Sequence, residues 1–261
     1  MEKKVYFYNK KKQRLAGFLH IPKKTPAPTI ILANGFTSDM TNKKNIAKTL
    51  AKNGFIVLRF DQSGCGESEG KFYDFTVSGN VSDCEAAFDF LAKQKFVDKN
   101  RIGMSGHSLG GMVTILAAAK NRKIKVIVPV DSPYDMKTRG RDSEFNKKKF
   151  LNEWKRTGYK VFKIKRNGIQ VPEKLSYNFL KDSLKYDASK CIKHVKCPVM
   201  IVHGDVDTVV PLNHARLLFR NANEPKKLVV IKGVNHSFAN SKHEKILVEN
   251  MLYWFNKYLK N

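Results

Sequence analysis

The hexapeptide Gly106-His107-Ser108-Leu109-Gly110-Gly111 sets a serine between two glycines, the spacing of an activated nucleophile. Before it runs Arg101–Ser105, which reads as a strand; after it comes the Ala- and Leu-rich Leu109–Lys120, which reads as a helix. A strand that turns sharply into a helix strains the serine between them. Crowding of the two backbones leaves room only for small residues two before and two after it. The helix N-terminus then aims its free N–H groups and positive end at the same point. A Gly-x-Ser-x-Gly pentapeptide arises by chance in roughly one chain of this length in ten, and the strand–turn–helix setting removes most such accidents.

A serine hydroxyl needs a base, and the base needs an orienting carboxylate. His236, in Gly233-Val-Asn-His-Ser-Phe238, is the late histidine that follows a predicted buried strand, so it is the candidate base. His107 reads as elbow packing and His203 as a loop hydrogen-bonder. His20, His194, His214 and His243 read as surface or strand-end residues. Three aspartates compete for the acid: Asp205 and Asp207 in one loop, and Asp131 at the end of Val126–Val130. Spacing alone does not separate them. The loops of the acid and the base follow strand C-termini, where ligand chemistry sits in open α/β sheets. An oxyanion hole needs two backbone N–H groups. Leu109 supplies one, and Phe36 in Asn34-Gly35-Phe36 the other, because Gly35 lets the backbone turn in close. The glycine-rich Asp61–Gly70 lacks both G-x-G-x-x-G and Gly-Lys-Ser/Thr and reads as a structural turn. No nucleotide or other cofactor is expected, and no metal, since no metal-ligand spacing appears.

Positioning these groups falls to a regular array. Val5–Tyr8 and Arg14–His20 read as an antiparallel pair. Thr29–Ala33, Phe55–Phe60, Arg101–Ser105, Val126–Val130, Pro198–His203 and Lys227–Ile231 read as buried strands alternating with helices, among them 42–53, 81–93 and 246–259. That alternation predicts an α/β fold: a mostly parallel twisted sheet of about eight strands with helices on both faces. The array breaks between residues 132 and 188, where a helix around 145–156 and a hairpin with an Asn167-Gly168 turn signal are expected. A departure of that length reads as an inserted lid. The expected organisation is thus a core of 1–131 and 189–261 with a cap of 132–188.

The 261 residues suit one such domain, with 42% hydrophobic and 11% aromatic content. Met1-Glu-Lys-Lys leads into an alternating segment, not a signal sequence, and no apolar run approaches the ~20 residues of a membrane span. Four cysteines without Cys-x-x-Cys spacing read as reduced thiols, which points to the cytoplasm. Forty-nine Lys+Arg against 23 Asp+Glu give a net charge of +26. The basic residues are spread along the chain with no zinc-finger or RNP-type pattern, so no specific nucleic-acid partner is expected. A homodimer is compatible with the sequence.

The chain resembles the α/β-hydrolase superfamily over nearly its whole length, and most of all its cinnamoyl (feruloyl) esterase and monoacylglycerol-lipase-like branch. The residues that carry the resemblance are Asn34-Gly35-Phe36, Phe60–Ser68, Gly70-Lys-Phe72, Gly106–Gly111, His203-Gly-Asp-Val-Asp207 with Val210-Pro211, and Asn235-His236. The resemblance implies a triad of Ser108, Asp207 and His236, with oxyanion donors at Phe36 and Leu109. It thereby selects Asp207 from the three aspartates. Asn34 departs from the histidine usual before that glycine, which implies a geometric adjustment around a backbone donor. The implied activity is hydrolysis of a small-molecule carboxylic ester through an acyl-enzyme, with Tyr134, Trp154 and Tyr159 of the insert as substrate-binding candidates. The competing readings are a peptidase or thioesterase on the same triad, a non-catalytic binding or regulatory protein on this scaffold, and a nucleic-acid or anionic-surface binder suggested by the +26 charge.

Overall fold

A computed structural model describes residues 1–138, 143, 145, 147–238 and 240–260. Ten strands alternate with eight α-helices among the described residues. Strands β1 (Glu2–Tyr8) and β2 (Arg14–His20) form an antiparallel pair that joins the sheet edge-on to β4 (Ile56–Phe60). The parallel part comprises β4, β3 (Ala27–Ala33), β5 (Val97–His107), β6 (Ile124–Val130), β9 (Val199–Gly204) and β10 (Lys226–Ile231), in that order across the sheet. This is the predicted α/β architecture.

The apolar runs are explained by burial on both faces. All seven residues of β3 are buried. Ile30 and Leu32 pack on one face with Ile46 and Leu50 of α1 (Lys44–Lys52) and Leu247 and Met251 of α8 (Ser241–Phe255). Ile31 and Ala33 face the opposite core, with Val81 and Phe88 of α2 (Val77–Ala92), Met112 and Val113 of α3 (Leu109–Lys120), and Leu218 of α7 (Asn213–Asn221). Side chains of a strand alternate between faces, so only a continuous apolar run satisfies two helical layers.

Several boundaries differ from expectation: β1 and β5 start early, at Glu2 and Val97, and helix α8 runs over Ser241–Phe255 instead of 246–259. Helix α2 begins at Val77, four residues early, because the Thr76 side chain caps it by accepting from the Gly79 N–H at 3.0 Å; the polar Ser78-Gly79-Asn80 turn hides the apolar periodicity. A short 3-10 turn, Met40–Lys43, precedes α1 and is capped by Asp39.

Between β6 and β9 lie α4 (Lys148–Thr157), the antiparallel hairpin of β7 (Tyr159–Arg166) and β8 (Ile169–Ser176), α5 (Asn178–Ser183) and α6 (Ala188–Cys191). Asn167 and Gly168 both take positive φ (54° and 81°), as a two-residue hairpin turn of matching twist demands. The hairpin is fastened to the core. The Lys165 N–H donates to Thr37 O at 2.9 Å, and the Gly168 N–H to Asp39 Oδ2 at 2.8 Å. The Arg166 guanidinium donates to the carbonyls of Gly66 and Gly64.

Candidate active site

The chain order reverses between β3 and β5: β3 leads outward to β4 on one side, β5 to β6 on the other. A crevice opens at such a switch point above the strand C-termini. Ser108 caps β5 there, and Asn34-Gly35-Phe36 caps β3.

Ser108 has φ 55° and ψ −122°, a strained conformation for a residue with a Cβ, and its N–H donates to Val130 O at 2.8 Å. Backbone crowding accounts for the small neighbours. A Cβ on Gly106 would lie 2.2 Å from Gly110 O, and one on Gly110 would lie 2.5 Å from Ala33 O. Neither backbone oxygen can move aside, so Gly106→Ala is expected to cost on the order of 3 kcal/mol. For a chain this size that is a fall of roughly 6–12 °C in Tm, readable by calorimetry.

The base and acid arrive on two interlocked loops. The Val206 N–H donates to Val234 O at 3.2 Å, the Asp205 N–H to Ile231 O at 3.2 Å, and Asp205 Oδ1 accepts from the Gly233 N–H at 2.6 Å. Asp205 is therefore spent on tying the loops together. Asp207 Oδ1 accepts from the Val209 and Val210 N–H groups at 2.9 and 2.8 Å, which leaves Oδ2 facing His236 Nδ1 at 2.6 Å. His236 Nε2 lies 2.9 Å from Ser108 Oγ. Burial alone would raise the Asp207 carboxyl; the His236 hydrogen bond and charge outweigh it and hold the group below its ordinary value.

Leu109 N–H is the first of α3 and has no intrahelical partner. Phe36 N–H donates to no described backbone or side-chain group. The Phe36 ring is gripped by the insert, stacked on Phe179 and edge-on to Phe162, both with centroids 5.2 Å away. The Asn34 amide donates to Phe60 O at 2.8 Å and pins the end of β3 to the end of β4. Asp61, in the glycine-rich loop, is buried and accepts from the Met40 and Glu67 N–H groups at 2.6 and 2.9 Å. Gly66 is required there, since its Cβ would fall 2.0 Å from Asp61 Oδ2.

Asp131 does not reach the His236 ring as a hydrogen-bond partner. Fully buried at φ 43°, it accepts from the Gly204 N–H at 3.0 Å and holds β6 against β9. Its second oxygen lies 3.5 Å from His107 Nε2, and burial pushes the group up to about 6. His107 does more than pack: its Nε2–H donates to the His236 carbonyl at 2.8 Å, tethering the candidate base from the residue beside Ser108. Burial, reinforced by the Lys43 charge, lowers its imidazole to about 4 and keeps it neutral. Ligand atoms of His107, Asp131 and His236, and of Asp131, His203 and Asp207, lie within 4.8 Å of one another. Three of these nitrogens are already committed: His107 Nε2 to the His236 carbonyl, and both His236 nitrogens to Asp207 and Ser108. His203 Nε2 is likewise spent on Val210 O at 2.8 Å.

His214, expected at the surface or at a strand end, is buried in α7 and accepts from the Tyr134 N–H at 3.1 Å. His20 stands at the end of β2 as expected, buried, and accepts from Arg59 Nε at 2.9 Å.

A cavity of about 680 Å³ opens on Ser108, His236, Phe36 and His107. Tyr134, Trp154 and Tyr159 are not on its wall. Tyr134 lies on His214 with centroids 4.4 Å apart, and Tyr159 is exposed beneath Lys174. Trp154 is fully buried among Phe145, Phe150, Phe162 and Phe179, its Nε1–H on Leu175 O at 3.1 Å. Trp154→Ala is expected to cost about 3–5 kcal/mol, seen as a lower denaturation midpoint. The cavity wall instead presents Lys43, Lys163 and Lys165, which no motif signals.

The model of the prolyl oligopeptidase family matches residues 41–261. The chain belongs to that family. Among solved structures, this family member is similar to the α/β hydrolase GrgF from Penicillium sp. sh18, with TM-score 0.86, 19% identity and 100% of both chains covered, a likeness of fold. It is also similar to Est1E from Butyrivibrio proteoclasticus, solved with ferulic acid bound, at TM-score 0.77 and 25% identity over 98% of this chain and 100% of that one. A bovine relative, the mitochondrial palmitoyl-protein thioesterase ABHD10, is 30% identical over 200 residues, 72% of this chain and 60% of that protein. The family member thus has the α/β-hydrolase fold and the superfamily kinship that its motifs imply. No helix among its described residues is long and apolar enough to cross a membrane.

Proposed function

We propose that this protein is a serine hydrolase that cleaves carboxylic esters through an acyl-enzyme on Ser108. One observation carries the reading: the continuous chain from Ser108 Oγ through both nitrogens of His236 to Asp207 Oδ2, at 2.9 and 2.6 Å. Ser108 Oγ attacks the ester carbonyl carbon while its proton passes to His236 Nε2. The oxyanion that forms lies at the Leu109 and Phe36 N–H groups, two donors already fixed in place. When the tetrahedral species collapses, the C–O bond to the alcohol breaks and His236 Nε2 returns the proton to the departing oxygen. Water then attacks the acyl carbon, giving its proton to His236 Nε2; the bond to Ser108 Oγ breaks, His236 returns the proton to that oxygen, and the acid leaves. Asp207 stabilises the imidazolium in each half and remains ionised. Residues 132–188 act as a lid, since their hairpin is bonded to the loop that carries Phe36.

The test is labelling with a fluorophosphonate probe followed by peptide mapping. The expected adduct is on Ser108, with none on the Ser108→Ala variant. Labelling elsewhere, or none with the folded protein, would sink the triad. A thioester is the second reading, favoured by the ABHD10 relative, whose name records thioesterase activity. A thiolate leaves more readily than an alkoxide, so the same groups would serve. Matched oxygen and thiol esters of one acyl chain separate the two.

A further inference from the structure

The cavity above Ser108 has a basic wall. Lys43, Lys163 and Lys165 line it, against the single carboxylate of Glu244 among its described lining residues. A few lysines elsewhere meet acids, as in Lys4 with Glu67, Lys10 with Glu85 and Lys160 with Glu153. Those of the cavity do not. The Lys43 ammonium donates to Ala33 O, at the root of the loop that carries the Phe36 N–H, and makes no ion pair among the described residues. Lys165 donates to the neutral amide of Asn42, and Lys163 has no ion pair among the described residues. Lys163 and Lys165 are two apart on β7, so their side chains leave the same face of the hairpin.

Position separates Lys43 from an ordinary surface lysine. It sits at the end of the 3-10 turn before α1, and the His107 imidazole feels its charge. Burial lowers the Lys43 ammonium to about 7. Holding a half-desolvated cation without an anion is costly to the folded state. An anion entering the cavity would offset that cost, and the net charge of +26 would steer it there.

We infer that the cavity selects esters that carry a second, anionic group, a carboxylate or a phosphate-type group, with Lys43 as its counter-ion and Lys163 and Lys165 at the rim. The inference rests on the serine-hydrolase reading and names its substrate class. It concerns recognition alone; the bonds made and broken are those already given.

The experiment compares kcat/KM for three p-nitrophenyl esters of equal chain length: the hexanoate, the monoadipate and the 6-phosphonohexanoate. The expected result is a preference for at least one anionic ester of about tenfold or more, expressed mainly in KM, which declines as salt is raised. The stronger of the two anionic substrates identifies the group. Lys43→Met is expected to reduce the anionic-to-neutral ratio by about tenfold. Lys163→Glu, on an exposed strand position that tolerates change, should reduce it by about threefold and covers the case in which the Lys43 variant does not fold. Hexanoate turned over as well as both anionic esters overturns the selectivity and leaves the hydrolase standing. An anionic preference that survives both variants overturns the assignment to these lysines. If no ester is cleaved and Ser108 takes no fluorophosphonate, both readings fall together.

Discussion

Ser108→Ala is expected to lower kcat on a short p-nitrophenyl ester by about 10⁶-fold while leaving the fold intact. The nucleophile and its base act as one unit, so removing the oxygen removes the whole covalent pathway. What survives comes from the oxyanion donors and binding. The fold should survive because the Ser108 hydroxyl bonds only to His236, while the N–H that anchors the elbow to Val130 is untouched. Alanine keeps a Cβ at φ 55° and therefore keeps the strain. Ser108→Gly relieves it, so that variant should be equally inactive but more stable than the alanine one by about 1 kcal/mol. Kinetics and urea denaturation on the same samples read both effects. Wild-type turnover by either variant would remove Ser108 from the reaction.

Asp207→Asn is expected to lower kcat by about 10⁴-fold, whereas Asp205→Asn should change it by less than about tenfold. An asparagine at 207 can still accept from Val209 and Val210, so the turn persists. Its amide now presents a donor or a weak acceptor to His236 Nδ1, which favours the wrong tautomer and leaves the imidazolium without an anion. Asp205 holds Gly233 instead and touches neither the imidazole nor the serine hydroxyl. The carboxyl of Asp207 also links stability to pH. Its value in the folded protein is depressed, so its contribution is present above the ordinary value near 3.8 and is lost as pH falls through the depressed one. The Asp207→Asn variant should therefore show a shallower acid-side loss of stability. Equal defects in the two variants would mean that the loops, not the carboxylate, matter.

Much of this was legible because local physics forces it. A strand buried on both faces has to be nearly continuous in apolar residues, so β3, β4 and β6 declare themselves even though β4 carries the buried Arg59. The elbow needs glycines where a Cβ would strike backbone, and Gly106 and Gly110 stand there. The Asn167-Gly168 turn announced its hairpin through the positive φ that both central positions need. The choice among Asp205, Asp207 and Asp131 was different. All three sit at strand ends, and spacing could not tell which oxygen a distant imidazole would meet; resemblance selected Asp207, and the geometry puts its free Oδ2 on His236.

The sequence by itself determined the layered α/β sheet, the elbow and the set of groups able to form a triad, since each depends on neighbours within a few residues or on periodicity. Only the tertiary structure decided what the rest of the chain brings to Ser108. Trp154, a candidate for binding, became the centre of an aromatic core, because a large indole is most stable where its whole surface leaves water. His107 became a tether, through a carbonyl 129 residues away in the chain. Lys43, one of 49 basic residues, became a cation on the cavity wall. Contacts between segments far apart in the chain leave no periodic trace, and the charge of a lysine says nothing of where its ammonium ends until the backbone around it is placed.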